Sequence, residues 1–158
     1  MADRDRPLAP RGLRAAALMA AEIDRRGLHA DRILCSPARR TRETLATLLP
    51  LIGDETRIAI TAGLYEPPSG DYRAVIAERG VDAETLLVIG HNPAIQATAL
   101  LLASGPAKAK AEIAAKLPTG ALIALDFPPG PWADLKPETG TITLFLKPGD
   151  LDASEAED

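Results

Sequence analysis

The segment Leu86–Leu102, LLVIGHNPAIQATALLL, joins a short continuous apolar run to a helical pattern. A run such as LLVI, with no polar residue between its members, is typical of a parallel strand covered on both faces. His91 follows this strand, and Asn92 and Pro93 are residues that favour the start of a helix. The segment therefore predicts a strand over Thr85–Ile89, a helix from Asn92, and a fold built from strand–helix units.

Strand and helix patterns alternate along the rest of the chain. Arg11–Arg26 has apolar residues at helical spacing, followed by a glycine where helices commonly stop. This alternation predicts a layered α/β fold with a mostly parallel sheet flanked by helices. The other predicted strands are Arg32–Cys35, Arg57–Ile60, Ala121–Phe127 and Thr139–Leu146, and the other predicted helices are Ser36 to about Leu49, Tyr72–Arg79 and, as a short helix or a loop, the segment ending at Lys116.

Composition is that of an ordinary globular protein and argues against several functions. The 158 residues are 46% hydrophobic and 25% charged, which suits one domain, predicted over 1–149, with an acidic disordered tail over 150–158. A net charge of −4 with 3% aromatic residues argues against a nucleic-acid partner. One cysteine, Cys35, cannot form an internal disulfide, and no apolar stretch reaches the roughly 20 residues of a membrane helix. We expect a cytoplasmic protein without a membrane partner.

His91 lies where a predicted parallel strand ends, and open α/β sheets bind ligands at that end of their strands. The helix that follows would direct its first backbone N–H groups and its positive dipole end to the same place, which favours an anion. A histidine there can donate a hydrogen bond to a phosphoryl or carboxylate oxygen, or move a proton near neutral pH. The alternative that this segment leaves open is a histidine that merely caps or packs at the strand end.

A second strand end repeats the arrangement, because ILC at 33–35 is followed by SPARRTRETL at 36–45. Arg39, Arg40 and Arg42 lie in the first turns of the predicted helix, and the planar fork of a guanidinium suits phosphate. Spacing does not choose among the three. Arg39 could pair with Glu43 on a solvated face, and a surface position is the alternative for each of them.

SPARRTRET resembles the SPxxRxxQT segment of the histidine phosphatase superfamily, which includes the phosphoglycerate mutases. VIGHNPAI resembles the second-histidine motif of its SixA-type phosphohistidine phosphatases. The resemblance extends over nearly the whole chain and implies a three-layer, mainly parallel α/β fold, no metal or other cofactor, and a phosphohistidine intermediate. The further matching segments are DRPLAPRG at 5–12, LYE at 64–66, KLPTGALIAL at 116–125 and PWADLKPETGTITLFLKP at 131–148.

Carried over by position, the resemblance implies that Arg40 is the phosphate-binding arginine and that His91 is the second histidine, in contact with the phosphoryl group. Asn92, beside it, is a further predicted phosphate-binding residue. Glu66, in LYE, lies near the position of a general acid in related enzymes; its alternative is a surface glutamate in a proline-rich loop. Glu43 departs from the family, which commonly has glutamine there, and its charge would weaken anion binding if it pointed inward.

The arginine–histidine motif that carries the attacking histidine of the family is missing from this sequence. His29, the other histidine, precedes the strand at 33–35, so we expect it opposite the phosphate site as an ordinary surface residue. We also expect the first strand of the family to be missing, which would leave two strands with unpaired edges. Either the sequence is a truncated form of an active phosphatase, which we favour because Arg40 and His91 persist, or it is a catalytically silent relative.

These observations predict a SixA-like phosphohistidine phosphatase in a chain that lacks its own nucleophile. The expected partner is a signalling or phosphotransfer protein that carries phosphohistidine. Two alternatives stay open: a phosphatase of a small phosphoester, and a non-catalytic module that binds phosphorylated proteins.

Overall fold

The computed structural model describes residues 1–151, and the chain divides into two compact units, each with its own sheet. The first unit combines Met1–Glu66 with Ala83–His91, and the second combines Pro67–Asp82 with the chain from Asn92 onward. From residue 152 the predicted acidic tail lies outside the described residues.

The first unit is built on a parallel sheet of three short apolar strands. Its elements are α1 (Pro10–Arg25), β1 (Arg32–Cys35), α2 (Arg39–Leu48), β2 (Arg57–Ile60) and β3 (Leu86–Ile89), with 3₁₀ turns at Asp3–Asp5, Leu49–Leu51 and Ala62–Leu64. The strand order is β2-β1-β3. Residues of α1, α2, β1 and β3 share one buried core, formed by Ala20, Ile33, Cys35, Leu45, Leu48 and Ile89. The helices therefore cover the sheet face to which Ile33 and Cys35 point.

The second unit has a mixed sheet with the order β4-β6-β5, in which β4 is parallel to β6 and β5 is antiparallel to it. Its elements are α3 (Arg73–Arg79), α4 (Ala94–Leu102), β4 (Ala103–Gly105), α5 (Ala107–Ala115), β5 (Leu122–Asp126) and β6 (Gly140–Leu146), with a 3₁₀ turn at Trp132–Asp134. Ala99, Ala103, Ile113 and Ile142 form the buried core between its helices and its sheet.

The predicted α/β class, with parallel strands flanked by helices, is confirmed, and the strands are divided between two sheets. β5 and β6 run antiparallel because the chain between them, residues 127–139, contains a single 3₁₀ turn and no crossover helix. β4 has no counterpart in the sequence prediction. Three residues before a proline are too few to display a strand pattern.

Two helices begin later than the sequence predicts. α2 begins at Arg39 rather than at Ser36, and α4 begins at Ala94 rather than at Asn92. Neither helix has a side-chain cap at its first turn. The predicted helix starts at Ser36 and Asn92 are therefore wrong, and both side chains have other partners.

Candidate active site

The ends of β1 and β3 bring Ser36 and His91 together. Cys35 is aligned with Ile89 in the parallel register, and the Ser36 N–H donates to the Ile89 carbonyl at 3.0 Å. The residues that follow the two strands therefore leave the sheet at the same end, where ligands bind in open α/β sheets. This places the buried Ser36 hydroxyl beside the half-buried imidazole of His91.

Both ring nitrogens of His91 have partners. Nδ1 lies 3.2 Å from Nη2 of Arg40, and Nε2 lies 2.7 Å from Oγ of Ser36. Because a guanidinium can only donate, Nδ1 accepts and the ring hydrogen resides on Nε2, which donates it to Ser36. His91 is thus held as a neutral imidazole in one tautomer and one orientation.

The surroundings of His91 lower its pKa below the ordinary value. Burial is the largest cause, the positive charge of Arg40 adds to it, and the Asp3 carboxylate opposes it. An anion bound between the imidazole and the guanidinium would favour the protonated ring, which donates from both nitrogens. The site can therefore couple anion binding to protonation of His91.

Arg40 extends from the first turn of α2 toward His91 and the 3₁₀ turn at Asp3–Asp5. Its Nη1 donates to the Asp3 backbone carbonyl at 3.0 Å, and its Nη2 donates to Oδ2 of Asp3 at 3.2 Å. The Arg40 side chain is 20% exposed, compared with 52% for Arg39. The structure therefore places Arg40, of the three candidate arginines, against the predicted histidine.

The neighbouring charges of α2 have other roles. Nε of Arg39 lies 3.7 Å from Oε1 of Glu43, the ion pair that helical spacing predicts. Nε of Arg42 donates to the Pro37 carbonyl at 3.0 Å. The same Glu43 oxygen accepts from the Leu8 N–H at 2.9 Å. The departure from the family at Glu43 thus attaches the chain before α1 to α2.

Tyr65 joins the site from the loop after β2. Its ring meets the His91 ring edge-on, with 5.5 Å between centroids and 88° between planes. Its hydroxyl donates to Oδ2 of Asp3 at 2.5 Å, and this hydrogen bond is the largest cause of the raised pKa of Tyr65, to which the charge of Glu66 adds. Glu66 itself is exposed, and its role as a general acid stays a prediction.

Three other residues singled out in the sequence have partners or surroundings of their own. Asn92 begins the second part of the second unit, where its Nδ2 donates to the Leu117 carbonyl at 3.2 Å, and its role as a phosphate ligand stays a prediction. His29 is exposed and precedes β1, at the end of that strand opposite Ser36. Cys35 is fully buried in the core, and burial raises its pKa to about 11.

The described part of the chain offers neither a metal site nor a membrane span. Within residues 1–151, no three side chains of the histidine, cysteine, aspartate and glutamate types are grouped so that they could hold a metal ion. None of the helices described there is both long and apolar enough to cross a bilayer.

Sequence reasoning missed Ser36 as the partner of the His91 ring, and it missed Asp3 and Tyr65 altogether. The pairing of β1 with β3 could have indicated Ser36, because the residue after one strand end lies beside the residues after the other. Asp3 and Tyr65 carry no comparable signal. They are separated by 62 positions, and although Tyr65 lies in the LYE segment, that resemblance indicated a role only for Glu66.

A sequence profile of the histidine phosphatase superfamily (branch 1) matches residues 2–79. A protein of Nakamurella multipartitia assigned as the phosphohistidine phosphatase SixA has the same fold, with a TM-score of 0.78 and 31% identity over 94% of this chain and 88% of its own. The chain belongs to the histidine phosphatase superfamily. Its likeness within the superfamily is to proteins of the SixA type.

Two further relatives of this histidine phosphatase family member cover most of its length. A protein of Agrobacterium tumefaciens, also assigned as SixA, has a TM-score of 0.73 and 27% identity over 92% of this chain and 90% of its own. An uncharacterized protein of Mycobacterium tuberculosis strain H37Rv is 38% identical over 151 residues, which are 94% of this chain and 92% of the relative. The sequence motifs SPARRTRET and VIGHNPAI predicted membership of this superfamily, and the prediction is confirmed.

Proposed function

We propose that this protein is a SixA-type phosphohistidine phosphatase, which removes phosphate from phosphohistidine on a signalling or phosphotransfer protein. The observation that supports this most is the 3.2 Å contact between the Arg40 guanidinium and Nδ1 of His91, residues 51 positions apart. A fixed cation and a titratable donor at the end of a parallel sheet suit a phosphoryl group, whose charge spreads over several oxygens.

In this proposal Arg40 binds phosphoryl oxygens through the two N–H groups of its guanidinium fork. His91 donates a further hydrogen bond, and Ser36 holds its ring in position. Both groups stabilise the negative charge on the oxygens as the phosphoryl group is transferred. Asn92, the residue after His91, would add a hydrogen bond to the phosphoryl group, and Glu66 would supply a proton to the leaving group.

The attacking nitrogen is the part of the mechanism that residues 1–158 do not supply in this proposal. His91 has both ring nitrogens engaged by Arg40 and Ser36, and His29 is exposed at the other end of β1. An attacking histidine must lie in line with the bond that breaks. A histidine placed in this way would form the new P–N bond as the substrate P–N bond breaks, before water releases phosphate.

Turnover of a phosphohistidine protein tests this directly. The chain of 158 residues is expected to show negligible turnover, whereas the same chain extended at its N-terminus by a strand-forming segment with an arginine–histidine pair is expected to be active. Replacement of the added histidine by alanine provides the control. Turnover by the unextended chain would contradict the assignment of the nucleophile.

Binding of inorganic phosphate tests the site separately from turnover. Arg40→Ala is expected to weaken phosphate binding by about 1.5–3 kcal/mol, the range for hydrogen bonds to charged groups. Arg39→Ala, one position along the same helix, removes the same charge from the surface and is the matched control. Equal affinities of the two variants would contradict the role of Arg40.

In the extended chain, Glu66→Gln is expected to slow turnover while leaving phosphate affinity unchanged.

A non-catalytic module that binds phosphorylated proteins is the second candidate. It is favoured by the same engagement of both His91 nitrogens, which leaves the site able to hold an anion without attacking it. This candidate predicts that phosphohistidine peptides bind and that the extended chain still shows no turnover. Competition by small phosphoesters would distinguish the third candidate, a phosphatase of small molecules.

A further inference from the structure

The carboxylate of Asp3 occupies the place at Arg40 that the proposed function gives to a phosphoryl group. Oδ2 of Asp3 accepts from Nη2 of Arg40 at 3.2 Å and from the Tyr65 hydroxyl at 2.5 Å. Two donors from different parts of the chain thus converge on a single anionic oxygen. Nη2 of Arg40 also lies 3.2 Å from Nδ1 of His91, and the Tyr65 ring contacts the His91 ring edge-on.

The 3₁₀ turn that carries Asp3 lies against the same residues. Arg4 stacks over the Tyr65 ring, with its guanidinium carbon 5.7 Å from the ring centroid. Arg6 pairs with Oδ1 of Asp3 at 3.2 Å, so that both carboxylate oxygens are engaged. The turn therefore positions an anion against the donors rather than merely passing close to them.

Charge states agree with this geometry. The hydrogen bond from Tyr65, followed by those from the arginines, lowers the pKa of Asp3 to about 2, so the carboxylate is ionised at neutral pH. The same hydrogen bond raises the pKa of Tyr65, so its hydroxyl remains a donor. Oδ2 of Asp3 is thus held by one cationic donor, Arg40, and one neutral donor, Tyr65.

We propose that Arg40 and Tyr65 form one anion site, that Asp3 fills it as an internal competitor, and that a phosphoryl group binds by displacing Asp3 and accepting from Tyr65. This rests on the proposed function, because it takes the phosphoryl group to bind at Arg40. It adds Tyr65 as a binding residue, and it gives the segment Asp3–Asp5 a role in controlling access to the site.

The exposure of Asp3 makes its displacement feasible. Its side chain is 54% exposed, and exposed ion pairs are weak because water and salt screen them. A competitor of this kind is expected to reduce the affinity for an external anion by a factor of only about two to five, because an exposed ion pair is weak. Added inert salt should reduce the competition further.

Calorimetric titration of the full chain with inorganic phosphate tests the inference. Asp3→Asn is expected to bind phosphate about two- to fivefold more tightly than the native chain, from the strength of an exposed ion pair. Asp5→Asn removes an equal charge from the same turn and is expected to match the native chain. In the Asp3→Asn background, Tyr65→Phe is expected to weaken binding about tenfold, because a hydrogen bond to an anion is lost while the ring is kept.

Each outcome separates this inference from the proposed function. Equal affinities for Asp3→Asn and Asp5→Asn would overturn the role of Asp3, and an unchanged affinity after Tyr65→Phe would overturn the role of Tyr65. Arg40→Ala in the Asp3→Asn background reports on the proposed site itself. If it alone weakens binding, the proposed function stands and this inference fails. If it has no effect, or if no variant binds phosphate, both are overturned.

Discussion

Polar side chains have different kinds of hydrogen-bond partner at the strand ends of the first unit and in the second unit. In the first unit, Arg40, His91, Ser36, Tyr65 and Asp3 contact one another through their side chains. In the second unit, side chains other than the proposed ligand Asn92 donate to backbone carbonyls, including Arg73 to Leu135, Gln96 to Ile113, and Lys110 to Ala103.

This difference indicates that the strand ends of the first unit form a binding site and that the polar contacts of the second unit serve stability. A side chain bonded to a backbone carbonyl satisfies a group that folding would otherwise leave unpaired, so its partner is permanent. Side chains bonded to one another near the surface can exchange those partners for a ligand. Substitutions in the second unit should therefore change the free energy of unfolding, and substitutions at the strand ends of the first unit should change anion binding.

The largest expected effect is in the core of the second unit. Ile113 is fully buried with Ala99, Ala103 and Ile142. Ile113→Ala is expected to lower the free energy of unfolding by about 2–5 kcal/mol, because it removes buried apolar atoms and leaves a cavity. Urea denaturation measures the loss. Phosphate affinity of the folded variant is expected to be unchanged, and an altered affinity would break the separation between scaffold and site.

Gly140, at the start of β6, gives the next largest effect. A Cβ added there would lie 2.6 Å from Phe127 and 3.2 Å from Leu125, closer than side-chain atoms pack. Gly140→Ala is therefore expected to cost about 1–3 kcal/mol of stability. Gly149→Ala is the matched control, since a Cβ there meets nothing within 4 Å. Equal unfolding midpoints for the two variants would contradict the close packing of β6 against Phe127.

The pH dependence of anion binding should come from a residue of the first unit, His91. The pKa of His91 is lowered in the free chain, and a bound dianion should raise it. Affinity for sulfate, whose charge is constant here, is expected to rise as pH falls below the pKa of the complex and to level off below the lowered pKa of the free chain. The gain is at most about tenfold for each pH unit between the two values.

The same group makes a separate contribution to stability. Because the folded pKa of His91 lies below its unfolded value of 6.5, this contribution is full above that pH and is lost as pH falls toward the folded pKa. Asp3 also has a lowered pKa, of about 2, but its contribution is lost below its ordinary value of 3.8, in a different pH range. His91→Asn should abolish both effects near pH 6. A pH response that survives this substitution would place the titrating group elsewhere.

The smallest expected effect compares two serines. Ser36 Oγ accepts from the His91 ring, whereas Ser104 Oγ donates to the Gly140 carbonyl in the second unit. Each serine-to-alanine change is expected to lower the free energy of unfolding by about 0.5–1.5 kcal/mol, the contribution of one hydrogen bond. NMR of the His91 ring should show loss of the hydrogen bond from Nε2–H in Ser36→Ala alone, while Arg40 keeps the hydrogen on Nε2. The same loss in Ser104→Ala would show that Ser36 does not orient the ring.

Most elements of the fold could be predicted from local patterns. The helix at Pro10–Arg25 and the strands at Arg32–Cys35 and Arg57–Ile60 lie where apolar spacing predicts them. The starts of α2 and α4 were predicted wrongly, because serine and asparagine are common caps but here bond to other partners. β4 was missed because its pairing with β6, and not its own sequence, makes it a strand.

For the site, the sequence by itself determined the family, and through that resemblance it predicted Arg40 and His91 as phosphate-binding residues, because both lie in motifs that can be read locally. Only the tertiary structure decided that Arg40 rather than Arg39 or Arg42 meets His91, that Ser36 orients its ring, and that Asp3 and Tyr65 share the same donors. The physical reason is that helical spacing limits which face a side chain takes, whereas a hydrogen bond between residues 37, 51 or 62 positions apart depends on how strands pair and chain segments pack.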